Sequence, residues 1–160
     1  MITVSATVTD NVPGAMQSLL ALLRNPPVAE IGIRAESGPH PNGDGLSMVR
    51  VGAIQEFGAP DAPNPIPQRS FLRRTLDIYG RIYTDAIVQG IKSGVGTSHA
   101  DRVVRDTVKA TAKYYRNDVL RRIDDKINPR NAPMTIARKG FDHPLIETGA
   151  MKKAIVWRMR

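Results

Sequence analysis

The chain has no cysteine among its 160 residues, which excludes disulfides and thiolate-held metals and gives no sign of an oxidising compartment. Histidine is scarce as well. His40, His99 and His143 stand far apart, with no second histidine or carboxylate at metal-ligand spacing, so neither a metal nor another cofactor is expected. Aromatic side chains make up only 5% of the sequence and no base-reading motif is present, so sequence-specific nucleic-acid recognition is not expected. Long apolar runs are missing too: the longest, Leu19–Leu23 with Ala21 inside it, falls far short of the ~20 residues that span a bilayer. The first residues lack the basic-then-apolar pattern of a secretory leader. These absences predict a soluble chain made in the cytoplasm with no membrane partner.

Acidic residues are thin only towards the C-terminus. Residues 101–160 hold 15 basic against 7 acidic side chains, whereas residues 1–100 hold 8 of each, so the whole net charge of +8 arises in the last part. Such asymmetry marks a candidate contact with nucleic acid or an acidic protein surface, and it speaks to association rather than to fold.

What is present reads as one α+β domain over 1–160. At this length and 41% apolar content, such a chain can bury about two-thirds of its unfolded surface. Ile2–Val8 alternates β-branched residues as a strand does, and Asp10-Asn11-Val12-Pro13 then opens a helix over Pro13–Arg24, stopped by Pro26-Pro27. Ala29–Ala35 reads as a second strand, paired through the turn residues His40–Gly45 with Met48–Ile54. Four prolines within 59–67 predict a stiff, extended connector. A helix over Ser70–Ile91 buries Leu72, Leu76, Tyr79, Tyr83, Ile87 and Ile91, and ends at Gly94-Val95-Gly96. Ser98 and Asp101 suggest a capping box for a long helix with the buried stripe Val104, Val108, Thr111, Tyr115, Val119 and Ile123. Asn128-Pro129 ends that helix, a long loop follows over 128–148, and Ala154–Met159 alternates as a closing strand. The implied architecture is a small, mostly antiparallel sheet of an N-terminal strand, a central hairpin and a C-terminal strand. It packs against two long helices and one shorter helix, with long projecting loops.

The candidate chemical groups are sparse. His143 beside Asp142 could serve as a general base, yet a loop position before Pro144 has a simpler structural reading. Ser70 and Ser98 sit at helix starts, where a hydroxyl caps more often than it attacks. Asp124 and Asp125 are adjacent on a helix and point about 100° apart, so they cannot share a proton. Gly94-x-Gly96 follows a helix rather than a strand and lacks the third glycine or the Gly-Lys-Ser/Thr ending of a phosphate loop. No catalytic residue is therefore assigned and the chain is read as non-enzymatic. One pattern stands out: Arg102, Arg105, Lys109, Lys113 and Arg116 recur at steps of three and four, forming a basic ridge on one side of the long helix. It is either a solvated face or a contact for DNA phosphate or an acidic neighbour, and a non-specific DNA-binding module is the alternative function. Trp157 and the four tyrosines read as core or interface anchors.

Four further segments carry a resemblance. Val51-Gly52-Ala53-Ile54-Gln55-Glu56-Phe57-Gly58 is followed by Ile66-Pro67-Gln68-Arg69-Ser70-Phe71-Leu72, and later come Thr135-Ile136-Ala137-Arg138-Lys139-Gly140 and Pro144-Leu145-Ile146-Glu147-Thr148-Gly149. In this order they resemble the tail-component and virion-morphogenesis families of long-tailed bacteriophages, over about residues 48–158, with Ser70 standing where that family often has a second proline. The resemblance implies a structural protein of the phage neck or tail top, a tail-completion, tail-terminator or head-to-tail joining part. It would form a homo-oligomeric ring, expected to be a hexamer, between the tail tube protein and head-connector or head-closure proteins, with DNA passing through its lumen. Its place would be the virion, after assembly in the host cytoplasm. The residues implied in assembly are Glu56, Phe57, Gly58, Arg138, Lys139, Gly140, Pro144, Leu145, Ile146, Thr148, Gly149 and Met151, with the basic ridge facing the lumen or an acidic partner.

Overall fold

Apolar residues spaced three and four apart build the two longest elements. In a computed structural model that describes residues 12–42 and 45–160, these are α3 (Arg73–Gly94) and α4 (Ala100–Asp124), an antiparallel pair joined through the turn at Gly94-Val95-Gly96. Before them come α1 (Ala15–Arg24), β1 (Ala29–Ile33) and α2 (Met48–Phe57), and after them α5 (Pro133–Lys139), α6 (Ala150–Ala154) and β2 (Ile155–Met159). The described residues thus form a small α+β fold with one two-stranded antiparallel sheet. The strand expected over 2–8 lies outside them.

The α4 stripe is largely as its spacing predicts, with Val104, Thr111, Val119 and Ile123 buried. The α3 stripe is not. Of its six expected residues only Tyr83 is fully buried, and Leu76 is 49% exposed. Small residues make the contact instead, because Thr75, Gly90 and Gly94 lie on the buried face and let α4 approach closely. A Cβ on Gly90 would sit 2.6 Å from Thr107 Cγ2 and 2.7 Å from its Cβ. Tyr79, Tyr83 and Tyr115 fill the other end of this contact, with ring centroids 6.4 and 5.5 Å apart. Tyr83 donates to Asp118 at 2.7 Å and Tyr115 to the Leu72 carbonyl at 3.0 Å.

In the sheet, Ala29 pairs with Met159 and Ile33 with Ile155. Side chains alternate across a strand, so Ala29, Ile31 and Ile33 share a face with Ile155, Trp157 and Met159. The opposite face carries Glu30, which faces Arg158 in register and pairs with it at 2.7 Å and with Arg160 at 3.2 Å. Helix α4 packs on both strands. The main core gathers Met48, Phe71, Val119, Ile123, Ile127, Met151 and Ile155, so it draws on elements from both halves of the sequence.

Three segments depart from the sequence reading. Met48–Ile54 is not the second arm of a hairpin but most of helix α2, capped by Ser47, whose hydroxyl accepts from Arg50 N–H at 3.2 Å. Its buried residues are Met48, Gly52 and Glu56, a helical period hidden because one of them is a glycine and another a carboxylate. The hairpin survives only as a single bridge between Pro39 and Ser47, and the partner of β1 is β2. The proline-rich stretch 59–67 is not an extended connector: Ala59 and Ile66 exchange two backbone hydrogen bonds, of 2.8 and 3.0 Å, and close it into a loop. Fixed φ values exclude helix but suit a turn equally well. The long loop 128–148 contains α5, which starts on Pro133 and stops at a left-handed Gly140, the ordinary signature of a short helix. The capping box also fails to form, because His99 rather than Ser98 is the N-cap and no side chain of its own turn caps α4. Asp101 instead bonds to Ser18 of α1, accepting from its hydroxyl at 3.0 Å while the Asp101 N–H donates back at 3.1 Å.

The α3–α4 contact gives a direct test. In Gly90→Ala the new methyl meets Thr107 near its backbone, where rotation brings no relief, so a loss of about 2 kcal/mol in urea unfolding is expected. In Gly52→Ala the methyl meets mainly the Cδ1 tip of Ile33, at 2.5 Å, and that tip can turn aside. The ~1 kcal/mol helix preference of Ala over Gly offsets the shift, so this change is expected to be nearly neutral.

Candidate functional site

Glu56 is buried at the end of α2 and its carboxylate lies on the N-terminus of α3. Oε2 accepts from the N–H groups of Phe71 (2.8 Å) and Leu72 (2.9 Å), and Oε1 accepts from the Ser70 hydroxyl (2.6 Å) and the Arg73 N–H (3.0 Å). The first N–H groups of a helix have no partner within it and carry a partial positive charge, so a carboxylate there satisfies and neutralises them together. Ser70 works as a cap too, its oxygen accepting from Arg74 N–H at 3.2 Å. Gly58 ends α2 at φ +79, and a Cβ there would lie 3.0 Å from both Gln68 N and Ile66 O, so only glycine fits where the chain turns back. Of the Glu-Phe-Gly triplet, only Phe57 presents its side chain to solvent, 63% exposed with the Arg73 guanidinium 5.3 Å above its ring.

The C-terminal motif residues come together elsewhere, along a groove of about 470 Å³. The proline loop supplies part of its lining through Asn64 to Pro67, α5 and residues 145–151 supply more, and His40, Val51, Gln55, Arg69, Asn131 and Ala132 complete it. Leu145 and Ile146 pack partly buried against the main core, Pro144 is buried and Met151 belongs to the core itself. Leu145 has φ +65, uncommon for a branched residue. Arg138 pairs with Glu147 at 2.9 Å. Lys139 donates to the His143 carbonyl at 2.7 Å and lies 4.9 Å from the centre of the Phe141 ring, and burial pushes its pKa down. Gly140 and Gly149 hold the left-handed turns that bound the segment, and Thr148 Oγ1 accepts from Ala150 N–H at 3.2 Å.

One residue that tethers this segment escaped attention in the sequence. Arg69 is buried and donates to the carbonyls of Pro129 (2.8 Å) and Arg130 (2.9 Å), and at 3.4 Å to Gln55 Oε1. Burial lowers its pKa, countered by the nearby Asp142 charge. Asp142 in turn accepts from Arg130 at 2.6 Å and from Asn131 N–H at 3.2 Å, the Arg130 bond being the main cause that holds its carboxyl below the ordinary 3.8. The Asn131 side-chain nitrogen is buried without a partner among the described residues and its residue lines the groove. No periodic or motif signal marks Arg69 for this task; its place in Pro67-Gln68-Arg69-Ser70 suggests only a helix start.

The basic ridge is only in part an open row of charges. Arg116 donates to the Ile155 carbonyl at 2.7 Å, Arg105 to the Asn25 carbonyl at 3.2 Å, and Lys113 lies 5.6 Å from the Trp157 ring centre. Arg102 stands 3.8 Å from Asp106, and Lys109 is exposed. The ridge lies apart from both motif clusters, for none of its residues lines the groove. No family model, no curated protein and no solved structure matches this chain.

The remaining candidates have structural partners. The two ring nitrogens of His143 lie 3.1 Å from the Pro144 carbonyl and 3.2 Å from that of Asp124, and the Asp124 carboxylate pairs with Lys152 at 2.6 Å. His40 accepts from Asn42 N–H at 3.2 Å, and His99 contacts Ser98 at 3.0 Å. Among the described residues no group of three or more histidines and carboxylates is placed to hold a metal.

The Glu56 cluster generates two tests. Glu56→Ala would leave several buried N–H groups unpaired, and a loss of about 3 kcal/mol is expected by denaturant titration, with Glu56→Gln retaining part of it. The Tyr115 hydroxyl is pushed up to about 12, by burial first and then by the Glu56 and Asp77 charges. A phenol held neutral in the fold stabilises fully below its ordinary value of 10.0, and that stability is lost as pH rises from there through about 12. Ultraviolet titration should show Tyr115 ionising at lower pH in Glu56→Gln than in the unaltered chain.

Proposed function

We propose that this chain is a structural, non-enzymatic virion protein of the neck or tail top of a long-tailed phage. Copies of it form a closed ring, a hexamer in the simplest match to a six-fold tail, which completes or terminates the tail and joins it to the head. Its neighbours are the tail tube protein on one side and head-connector or head-closure proteins on the other, with DNA passing through the lumen. The sequence resemblance supports this reading, and one structural observation carries it further. Helix α3 packs on α4 along a narrow face and turns Ile78, Ile82, Val88 and Ile91 towards solvent, Ile82 being 64% exposed. Ile78 and Ile82 stand one turn apart on the same side of the helix, an exposed apolar pair that a neighbouring copy could cover. A ring needs such a patch to meet a different patch on the next copy.

The alternative of a non-specific DNA-binding module has less support, because Arg105, Lys113 and Arg116 already contact a carbonyl or an indole of their own chain. Native mass spectrometry with negative-stain imaging checks the proposal. A single closed stoichiometry is expected, with Ile78→Asp/Ile82→Asp releasing monomers that melt within a few degrees of the unaltered chain. Tight, steeply salt-dependent DNA binding by a monomer in gel shift would instead support the DNA-binding module.

A further inference from the structure

We propose that the groove between the proline loop and α5 is a docking site for an acidic segment of another protein, with an Asp or Glu carboxylate seated against Arg69 and Lys139. The inference goes beyond the ring reading and does not depend on it. It starts from a cation with no counter-ion. Arg69 is only 6% exposed and lines the groove, yet every acceptor it holds is neutral: the Pro129 and Arg130 carbonyls and, at a long 3.4 Å, the Gln55 amide oxygen. Among the described residues it forms no ion pair. Asp142, the acidic charge that acts on it, is held by Arg130 at 2.6 Å instead. A charge taken out of water is normally paired, because its own desolvation otherwise stands uncompensated.

Lys139 repeats the condition on the same lining. Its ammonium donates to the His143 carbonyl at 2.7 Å and it too forms no ion pair among the described residues. Burial lowers its pKa most; Glu147 opposes that, and the Arg138 and Arg69 charges lower it further. Two cations without carboxylates therefore stand close enough to repel. Asn131, also in the lining, keeps a buried side-chain nitrogen that has no acceptor among the described residues. The one carboxylate of the lining, Glu147, is already taken by Arg138 at 2.9 Å. A carboxylate entering here relieves the repulsion and accepts charge-assisted hydrogen bonds from guanidinium donors still unused.

Apolar side chains decide what carries that carboxylate. Val51, Ile66, Leu145 and Ile146 line the same groove, whose volume of about 470 Å³ is far more than a carboxylate alone fills. A free phosphate or small acid would leave these walls wet. A duplex phosphate, on the convex outside of DNA, does not reach an arginine so deeply buried. A peptide segment supplies both parts, an acid for the cations and an apolar neighbour for the walls.

The test presents the full-length chain, immobilised, to phage-displayed random heptapeptides. Enriched sequences should share an Asp or Glu beside an apolar residue. The synthesised consensus peptide is then titrated by calorimetry against variants whose folding is checked by circular dichroism. Replacing its acid by the corresponding amide should weaken binding about tenfold, and Lys139→Gln should do the same. Glu147→Gln, which frees Arg138, should tighten binding about threefold, a direction that damage to the fold does not produce. Lys109→Gln on the basic ridge changes the net charge equally and should leave binding unaltered. The proposal falls if no peptide is enriched, if the enriched peptides share no acidic position, or if Lys109→Gln weakens binding as much as Lys139→Gln, the mark of general attraction to a basic chain. It falls as well if equimolar inorganic phosphate or succinate displaces the consensus peptide, since the site then takes a free anion, or if duplex DNA displaces it, which makes the groove part of a nucleic-acid surface.

Discussion

The carboxylate of Glu56 set on the first turn of α3 is the contact on which the rest of the molecule depends. It joins two helices through charge-assisted hydrogen bonds that neither could form alone, to N–H groups of Phe71, Leu72 and Arg73 and to the Ser70 hydroxyl. Phe71 enters the main core from this point. Placing its backbone also places a large side chain against Met48, Val119 and Ile123. The other long helix is begun in the same manner from a distance, by Ser18 of α1 at Asp101. Each of the two longest helices thus has its start held by a residue from another helix. Local propensity is coupled to tertiary packing.

The cationic character of the chain follows a related logic. Arg69, Arg105 and Arg116 donate to backbone carbonyls in irregular segments or at a strand edge, near Pro129, Asn25 and Ile155 respectively. A guanidinium on a long stem can reach such orphan acceptors while its apolar part packs. Part of the positive charge therefore serves the fold directly, which narrows what the net charge alone implies about partners.

Legibility in the sequence depended on whether burial was achieved by apolar side chains. Helix α4 and strand β2 were readable from periodicity, since Val104, Val119, Ile123 and Ile155 are large and buried, and the end of α1 was readable from Pro26-Pro27. Helix α2 was not, because its inner face uses Gly52 and Glu56, while its apolar residues include the exposed Val49. The α3 stripe failed for a similar reason, with glycines replacing leucine and isoleucine at the closest approach. The clusters built from the motif residues were visible as motifs, but their division of labour was not. Glu56 and Gly58 act on the chain's own turns, Met151 sits in the core with Leu145 and Ile146 partly buried against it, and only Phe57 of this set is a large apolar side chain turned mainly outward. Arg69 could not be found at all, since its acceptors are carbonyls some sixty residues away.

The pairing of β1 with β2 joins residues 122 to 130 positions apart, and Ile155 and Met151 complete a core begun by Met48 and Phe71. During synthesis the helical hairpin can form early, but its apolar floor stays uncovered until the last strand has left the ribosome. Premature self-association is most dangerous in that interval, which ends only when β2 docks and Glu30 pairs with Arg158 and Arg160.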